Sequence, residues 1–219
     1  MHIKNLYLFY FLSGILFLIP IFSLAQTTDF EFWPSAELRY NASKKFRFSV
    51  EQELRLDNGA SQFKNTFTEA GLRYRISSYI DIRANYRFIV RPNDTRQRIS
   101  GDFLARYRKK GFPLRFNYRL RYQVLYRGQG RNPINYFRNK LAVSYNASKL
   151  VDPFVEGELY YRIWNKPNEF QKYRLDVGVD WRLSKKSDLS VFYRLQKEIN
   201  VNNPALDHVI GMGYSYTLP

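Results

Sequence analysis

From Gln26 onward the chain alternates apolar and polar residues with a period of two. Between residues 114 and 127, Leu114, Phe116, Tyr118, Leu120, Tyr122, Val124 and Tyr126 alternate with Arg115, Asn117, Arg119, Arg121, Gln123 and Arg127, with Leu125 the one exception. Successive side chains of a strand point to opposite faces, so this segment has one apolar face and one basic face. A helix would scatter both sets around its circumference. The pattern returns at 46–56, 79–91 and 173–183. It predicts eleven strands, at about 30–40, 46–56, 65–76, 79–91, 96–108, 113–127, 136–145, 153–164, 171–183, 189–199 and 208–218. No stretch reads as an amphipathic helix, a linker or a second domain.

The connections read as alternately short and long. The short ones are 41–45, 77–78, 109–112, 146–152 and 184–188, and Asn-Ala-Ser-Lys at 41–44 recurs at 146–149. The longer ones are rich in Asn, Gly, Pro and Asp. Strands of about 11 residues, tilted near 40°, rise about 28 Å, close to the roughly 25 Å apolar band of an outer-membrane barrel. The apolar face mixes aliphatic residues with Tyr, Phe and Trp, which suit the two membrane interfaces. The expected fold is therefore all-β: an antiparallel up-and-down transmembrane β-barrel of about 10–12 strands. A soluble periplasmic β-sandwich is the alternative, but it would have to bury a face crowded with Arg or leave an aromatic face in water. Bacterial single-chain barrels have even strand numbers. Either segment 46–56 pairs antiparallel with 208–218 and leaves 30–40 as an extra, Pro34-bent element, or a twelfth strand exists.

The N-terminus changes the picture of the charge. The 219 residues carry 35 Lys+Arg against 19 Asp+Glu, and aromatics make up 18%. Such a basic, aromatic-rich chain suits either nucleic acid or a membrane. Lys4, the apolar run Leu6–Ile19 and Ser23-Leu24-Ala25 read as a secretory signal peptide over 1–25, cleaved between Ala25 and Gln26. That predicts one barrel domain over 26–219 in the outer membrane of a Gram-negative bacterium, and no nucleic-acid partner. The chain has no Cys and only two His, His2 and His208, so no metal site, cofactor or catalytic centre is expected.

The second face of the strands is expected to line the lumen. It brings inward Arg55, Arg83, Arg87, Arg115, Arg119, Arg121, Arg162, Arg174, Arg182 and Arg194, with the acids Glu51, Glu53, Glu69, Asp81, Glu156, Glu158, Asp176 and Asp180. Arginine's planar fork bonds carboxylates bidentately. One reading is a structural barrel filled by such pairs, or a narrow pore. A second is a small anion-preferring channel or binding barrel, because Arg outnumbers the acids. A third is a lipid-modifying outer-membrane enzyme using His208, whose neighbour Asp207 would point to the opposite face. Arg91, Arg96, Arg98, Arg127, Arg131, Lys166 and Lys172 are placed near the long-loop rim, facing lipopolysaccharide phosphates. The expected partners are outer-membrane lipid and lipopolysaccharide, with an unidentified protein partner left open.

The C-terminal Gly211-x-x-Tyr214-x-Tyr216 resembles the signal by which the barrel-assembly machinery reads last strands, although Val209 replaces its polar position and the chain ends in Thr217-Leu218-Pro219. The mature chain over 28–218 resembles the bacterial outer-membrane barrels called domain of unknown function 2490. The resemblance rests on Phe32-Trp33, the Lys-rich short turns, Glu-Leu-Arg-Leu at 53–56, and Tyr-Arg at 86–87, 161–162 and 193–194. The Leu-Ala-Gln junction resembles exported proteins of Bacteroidota. The family implies an outer-membrane location and no assigned activity.

Overall fold

The computed structural model describes residues 28–128, 130–164 and 168–219. The signal segment with Ala25 and Gln26, and Lys166 of the rim set, lie outside the described residues. Eleven strands follow in order: β1 (Thr28–Tyr40), β2 (Phe46–Asp57), β3 (Gln62–Arg75), β4 (Ile80–Arg91), β5 (Asp94–Arg108), β6 (Leu114–Arg127), β7 (Ile134–Tyr145), β8 (Val151–Ile163), β9 (Glu169–Arg182), β10 (Ser187–Glu198) and β11 (Leu206–Thr217). They form one closed barrel in which each strand pairs with its sequence neighbours, so no second sheet exists among the described residues for a sandwich.

The closure departs from the expected even count. Strand β1 is not an extra element; it sits between β2 and β11 and closes the barrel by pairing parallel to β11, from Thr28↔Leu206 to Arg39↔Thr217. An odd number of up-and-down strands makes the first and last run the same way, so a parallel pair is the geometric requirement. Pro34 leaves its mark on the other edge. The β1–β2 ladder pairs Phe32 with Leu56 and Ser35 with Glu53 but skips Trp33 and Pro34, where proline offers no N–H.

The expected contrast of short and long connections does not hold either. One end carries 41–45, 76–79, 109–113, 146–150 and 183–186; the other carries 58–61, 92–93, 128–133, 164–168 and 199–205. The strands run further into the second set than simple alternation suggests, and Pro92 and Asn93 alone join β4 to β5. We call the ends the serine end and the Asn/Gly end. At the serine end, the Oγ of Ser43, Ser77 and Ser148 each accepts two backbone N–H bonds at 3.0–3.1 Å, and Ser184 Oγ accepts that of Lys186 at 3.1 Å. The serine hydroxyl mimics a backbone acceptor and closes the turn, which explains the repeated Asn-Ala-Ser-Lys. At the other end Asn58, Asn200 and Asn203 adopt positive φ, which Asn tolerates better than most residues.

The outward face carries the expected apolar band. Val50, Leu72, Ile82, Leu141, Leu159, Val177 and Met212 are exposed around its middle. Tyr40, Phe46, Tyr79, Tyr107 and Tyr214 ring the serine end, and Phe30, Phe63, Tyr126, Phe170 and Tyr193 ring the other. The strands are 12 to 15 residues long, enough to span an apolar layer at a barrel tilt.

Not every aromatic faces out. Trp33, Phe67 and Tyr160 are buried inside, at 2%, 2% and 7% exposure. Phe154 and Phe192 also point inward, opposite glycines: a Cβ on Gly178 would collide with Phe154 and Phe192, and one on Gly211 with the Phe192 ring. Gly211 thus has a packing role besides its place in the C-terminal motif, while Tyr214 lies on the outward face and donates to Ser187 Oγ at 3.2 Å. Substituting Gly211→Val should sharply reduce the yield of folded barrel on heat-modifiability gels. The double variant with Phe192→Ala should recover it; failure of the rescue would show that Gly211 matters for another reason.

Candidate functional site

Two levels of the lumen differ sharply. Toward the Asn/Gly end, side chains from every strand meet in a belt, with β11 contributing the fully buried Val209 beside Glu31 and Arg194, and Gly211, which leaves room. Trp33 of β1 is the centre. Its indole N–H donates to Glu31 Oε2 at 2.7 Å, and Lys64 donates to Glu31 Oε1 at 2.5 Å. The guanidinium of Arg55 from β2 lies 3.7 Å from the Trp33 ring, and those of Arg194 from β10 and Arg174 from β9 lie at 5.2 and 5.6 Å. Arg174 also faces Tyr160 at 5.0 Å, as does Arg138 at 4.2 Å, and Arg87 stacks on Phe67 at 3.2 Å. Arginine over an aromatic face is favourable, and more so out of water.

Carboxylates tie the guanidiniums together, most of them serving two or three. Glu158 takes Arg138 in a two-point contact at 3.1 and 2.8 Å, Arg119 at 2.5 Å and Arg174 at 3.8 Å. Asp102 takes Arg121 at 2.6 and 2.8 Å and Arg83 at 2.9 and 3.0 Å. Glu69 takes Arg87 and Arg98, both at 2.6 Å. Asp176 holds Arg194 in a fork at 2.8 and 2.6 Å. Asp81, fully buried, takes Arg73 and Arg106, with Arg75 at 3.9 Å.

Toward the serine end the lumen opens into a vestibule of two merging cavities, each about 520 Å³. They share Asn117, Ser144, Asp180, Ser190, Phe192 and Arg194. The walls carry opposite charge. Strands β3 to β7 present Arg73, Arg83, Arg106, Arg108, Arg115, Arg119 and Lys140. Asp81 and Asp102, the partners of Arg73, Arg106 and Arg83, line neither cavity and sit beneath the guanidiniums, at 0% and 4% exposure, whereas Arg115 reaches Asp152 at 2.6 Å and Lys140 reaches Glu156 at 2.8 Å, both on β8. The strands from β8 round to β2 present Asp152, Glu156, Asp176, Asp180, Asp188, Glu37, Glu51 and Glu53, with Arg39, Arg182 and Arg194 among them.

The predicted residues therefore divide between two levels. Arg55, Arg87, Arg121, Arg174, Glu69 and Glu158 belong to the belt. Arg83, Arg115, Arg119, Glu51, Glu53, Glu156, Asp176 and Asp180 line the vestibule, Arg194 belongs to both levels, and Asp81 lies behind the vestibule wall. Arg162 pairs with Glu169 at 2.8 Å near the Asn/Gly end, away from both. Arg182 is exposed at the serine mouth and donates to the Lys149 carbonyl at 3.0 Å.

Other placements correct the sequence reading. Arg98 is not at the rim: it is 9% exposed and bound to Glu69 inside, because it shares the inward face of β5 with Asp102. Arg96 and Lys172, placed near the rim and facing lipopolysaccharide phosphates, pair with Asp94 at 2.8 Å and Glu198 at 3.6 Å. Arg138 was not singled out by alternation, yet it bridges Gln123 of the predicted basic face and Glu158. Lys64 and Gln171 escaped because each is the extra residue of a register shift, at Arg55/Leu56 and Tyr160/Tyr161. A bulge puts two neighbours on one face and breaks the period of two. His208 shares a 2.5 Å hydrogen bond with the Tyr193 hydroxyl on the outward face. Asp207 instead accepts from Gln196 at 2.5 Å, inside. The two do not form a catalytic pair.

The model of the family described as "Protein of unknown function (DUF2490)" matches residues 30–206. The chain belongs to this family. The structure is similar to a NanC porin, with a TM-score of 0.51 and 11% identity, covering 76% of this chain and 86% of that one. It also matches a KdgM porin, with a TM-score of 0.45 and 13% identity, covering 74% and 81%. No curated protein matches the sequence. The likeness is one of fold: this DUF2490 chain is a porin-like β-barrel, and its lumen must be read from its own residues.

Proposed function

We propose that the chain is an outer-membrane barrel of a Gram-negative bacterium, shut to through-flow by the arginine–aromatic belt and open as a charged vestibule at its serine end. The apolar band and its two aromatic rings support insertion in a membrane. In this reading the protein is exported by its cleaved signal peptide and inserted by the barrel-assembly machinery. Its serine end faces the periplasm, and it sits among outer-membrane lipid and lipopolysaccharide. It binds rather than catalyses. The observation that carries the closed state is Trp33, which takes guanidiniums from β2 on one side and from β9 and β10 on the other. Side chains that meet across a narrow lumen leave no file of water through it.

Single-channel recording in planar bilayers tests this. Purified wild-type barrel should give no sustained conductance steps while remaining folded by heat-modifiable migration. Stable ohmic channels from the wild type would overturn the closed reading. The anion-preferring pore would then be favoured, provided a salt gradient gave anion selectivity.

A further inference from the structure

An Arg surplus by itself suggests a site for simple anions. The vestibule is not built that way. The charged groups that its β3 to β7 wall turns toward the cavity are all basic, because Asp81 and Asp102 are sequestered behind them. The facing wall is acidic, and Asp180 stands there opposite Asp152 on the neighbouring strand. Two like charges side by side on a sheet repel one another unless a cation comes near them, and Arg115, 2.6 Å from Asp152 Oδ2, answers only one of the two, leaving Asp180 without an ion pair among the described residues. Both sides also hold unmatched polar atoms. Arg106 Nε and Arg119 Nε, and Asp152 Oδ1, are buried without a hydrogen-bond partner. Buried polar groups are costly when unpaired, and because these atoms are sealed from solvent a ligand gains there only by drawing the side chains round to meet it, which relieves that cost. Arg194, held by Asp176, and the Phe154 and Phe192 rings bound the same space and give it an apolar floor.

We propose that the vestibule binds small zwitterionic solutes, with the ligand's carboxylate or phosphate on the Arg106–Arg119 side and its ammonium on the Asp180 side. This rests on the reading above only in requiring that the vestibule be open to solvent. A single anion gains from one wall and is repelled by the other, and a single cation likewise. A dipolar ligand aligned across the cavity gains from both, which is a difference of affinities rather than a sum of contacts. Cavities of about 520 Å³ are in the range that holds small molecules.

Three probes of matched length isolate the two charges: 6-aminohexanoate, hexanoate and hexylammonium. Binding to refolded wild-type barrel in micelles is measured by calorimetry or by chemical-shift titration, which read occupancy whether or not the barrel conducts. The zwitterion should bind about tenfold or more tightly than either monoion, the scale of one charge-assisted hydrogen bond lost or gained. Arg119→Gln should weaken 6-aminohexanoate and hexanoate but spare hexylammonium. Asp180→Asn, which breaks no ion pair among the described residues, should weaken 6-aminohexanoate and hexylammonium but spare hexanoate. Hexanoate binding as tightly as the zwitterion would overturn the proposal in favour of a plain anion site. Absence of binding by all three probes would overturn it as well. Wild-type conductance would defeat the closed-barrel reading and leave this crossed pattern intact, so the two failures are separable.

Discussion

Trp33→Ala should convert a silent barrel into a conducting one. The indole is the common surface on which Arg55, Arg174 and Arg194 converge, and its N–H anchors Glu31. Its loss removes the body of the belt and leaves guanidiniums that repel one another. They should swing toward the wall carboxylates or into the vestibule. In planar bilayers the variant is expected to give clear steps with anion preference, since the belt holds more Arg than acid. Adding Arg174→Ala should enlarge the steps, because Arg174 carries the belt from Trp33 to Tyr160. Leu141→Ala on the outward face should stay silent. Truncating a buried Trp costs about 3–5 kcal/mol in general, so the folded fraction must be checked by heat-modifiable migration before recording. A folded but silent double variant would mean that something other than the belt closes the lumen.

Glu158→Gln should be the most destabilising single charge change in the barrel. Glu158 is 5% exposed and serves Arg119, Arg138 and Arg174. Neutralising it leaves three guanidiniums with no shared counter-charge, and breaking a buried ionic cluster from one side typically costs about 3–5 kcal/mol. The urea midpoint of the folded, heat-modifiable band should fall accordingly. Pairing it with Arg138→Met should recover part of the loss, because removing both partners avoids an uncompensated buried charge, and the two residues are in direct contact. Glu37→Gln is the contrast. Its carboxylate is about a quarter exposed and pairs with Arg39 two residues away, so the change should cost less than about 1 kcal/mol. Equal midpoints for the two single variants would sink the view of Glu158 as a hub.

Much of the barrel was legible because a strand's side chains alternate without exception between bulges. Arg119 and Arg121 had to share a face with Arg115 once Phe116, Tyr118 and Leu120 were placed outward. The misses arise where that rule lapses or says nothing. Lys64 and Gln171 sit at register shifts, and a shift depends on the partner strand as much as on the local sequence. Phe154 and Phe192 lie in step with the inward Glu156 and Arg194, but the glycines that admit their rings come from β9 and β11. Arg98 looked like a rim residue because its distance from the loop was judged by residue count. Its contact with Glu69 crosses the whole width of β4.

By itself the sequence determined the all-β class, the strand positions to within a few residues, the apolar outer face and the basic inner one. All of these follow from local periodicity. Only the tertiary structure decided that eleven strands close through a parallel pair, that one carboxylate serves two or three arginines, and that the lumen gathers an arginine–aromatic belt at one level and a charged vestibule at the next. It alone sorted the vestibule into a basic wall and an acidic wall. The physical reason is that charge pairing and closure are properties of strands brought together around a circumference. Alternation states which way a side chain points, but not which side chain it meets.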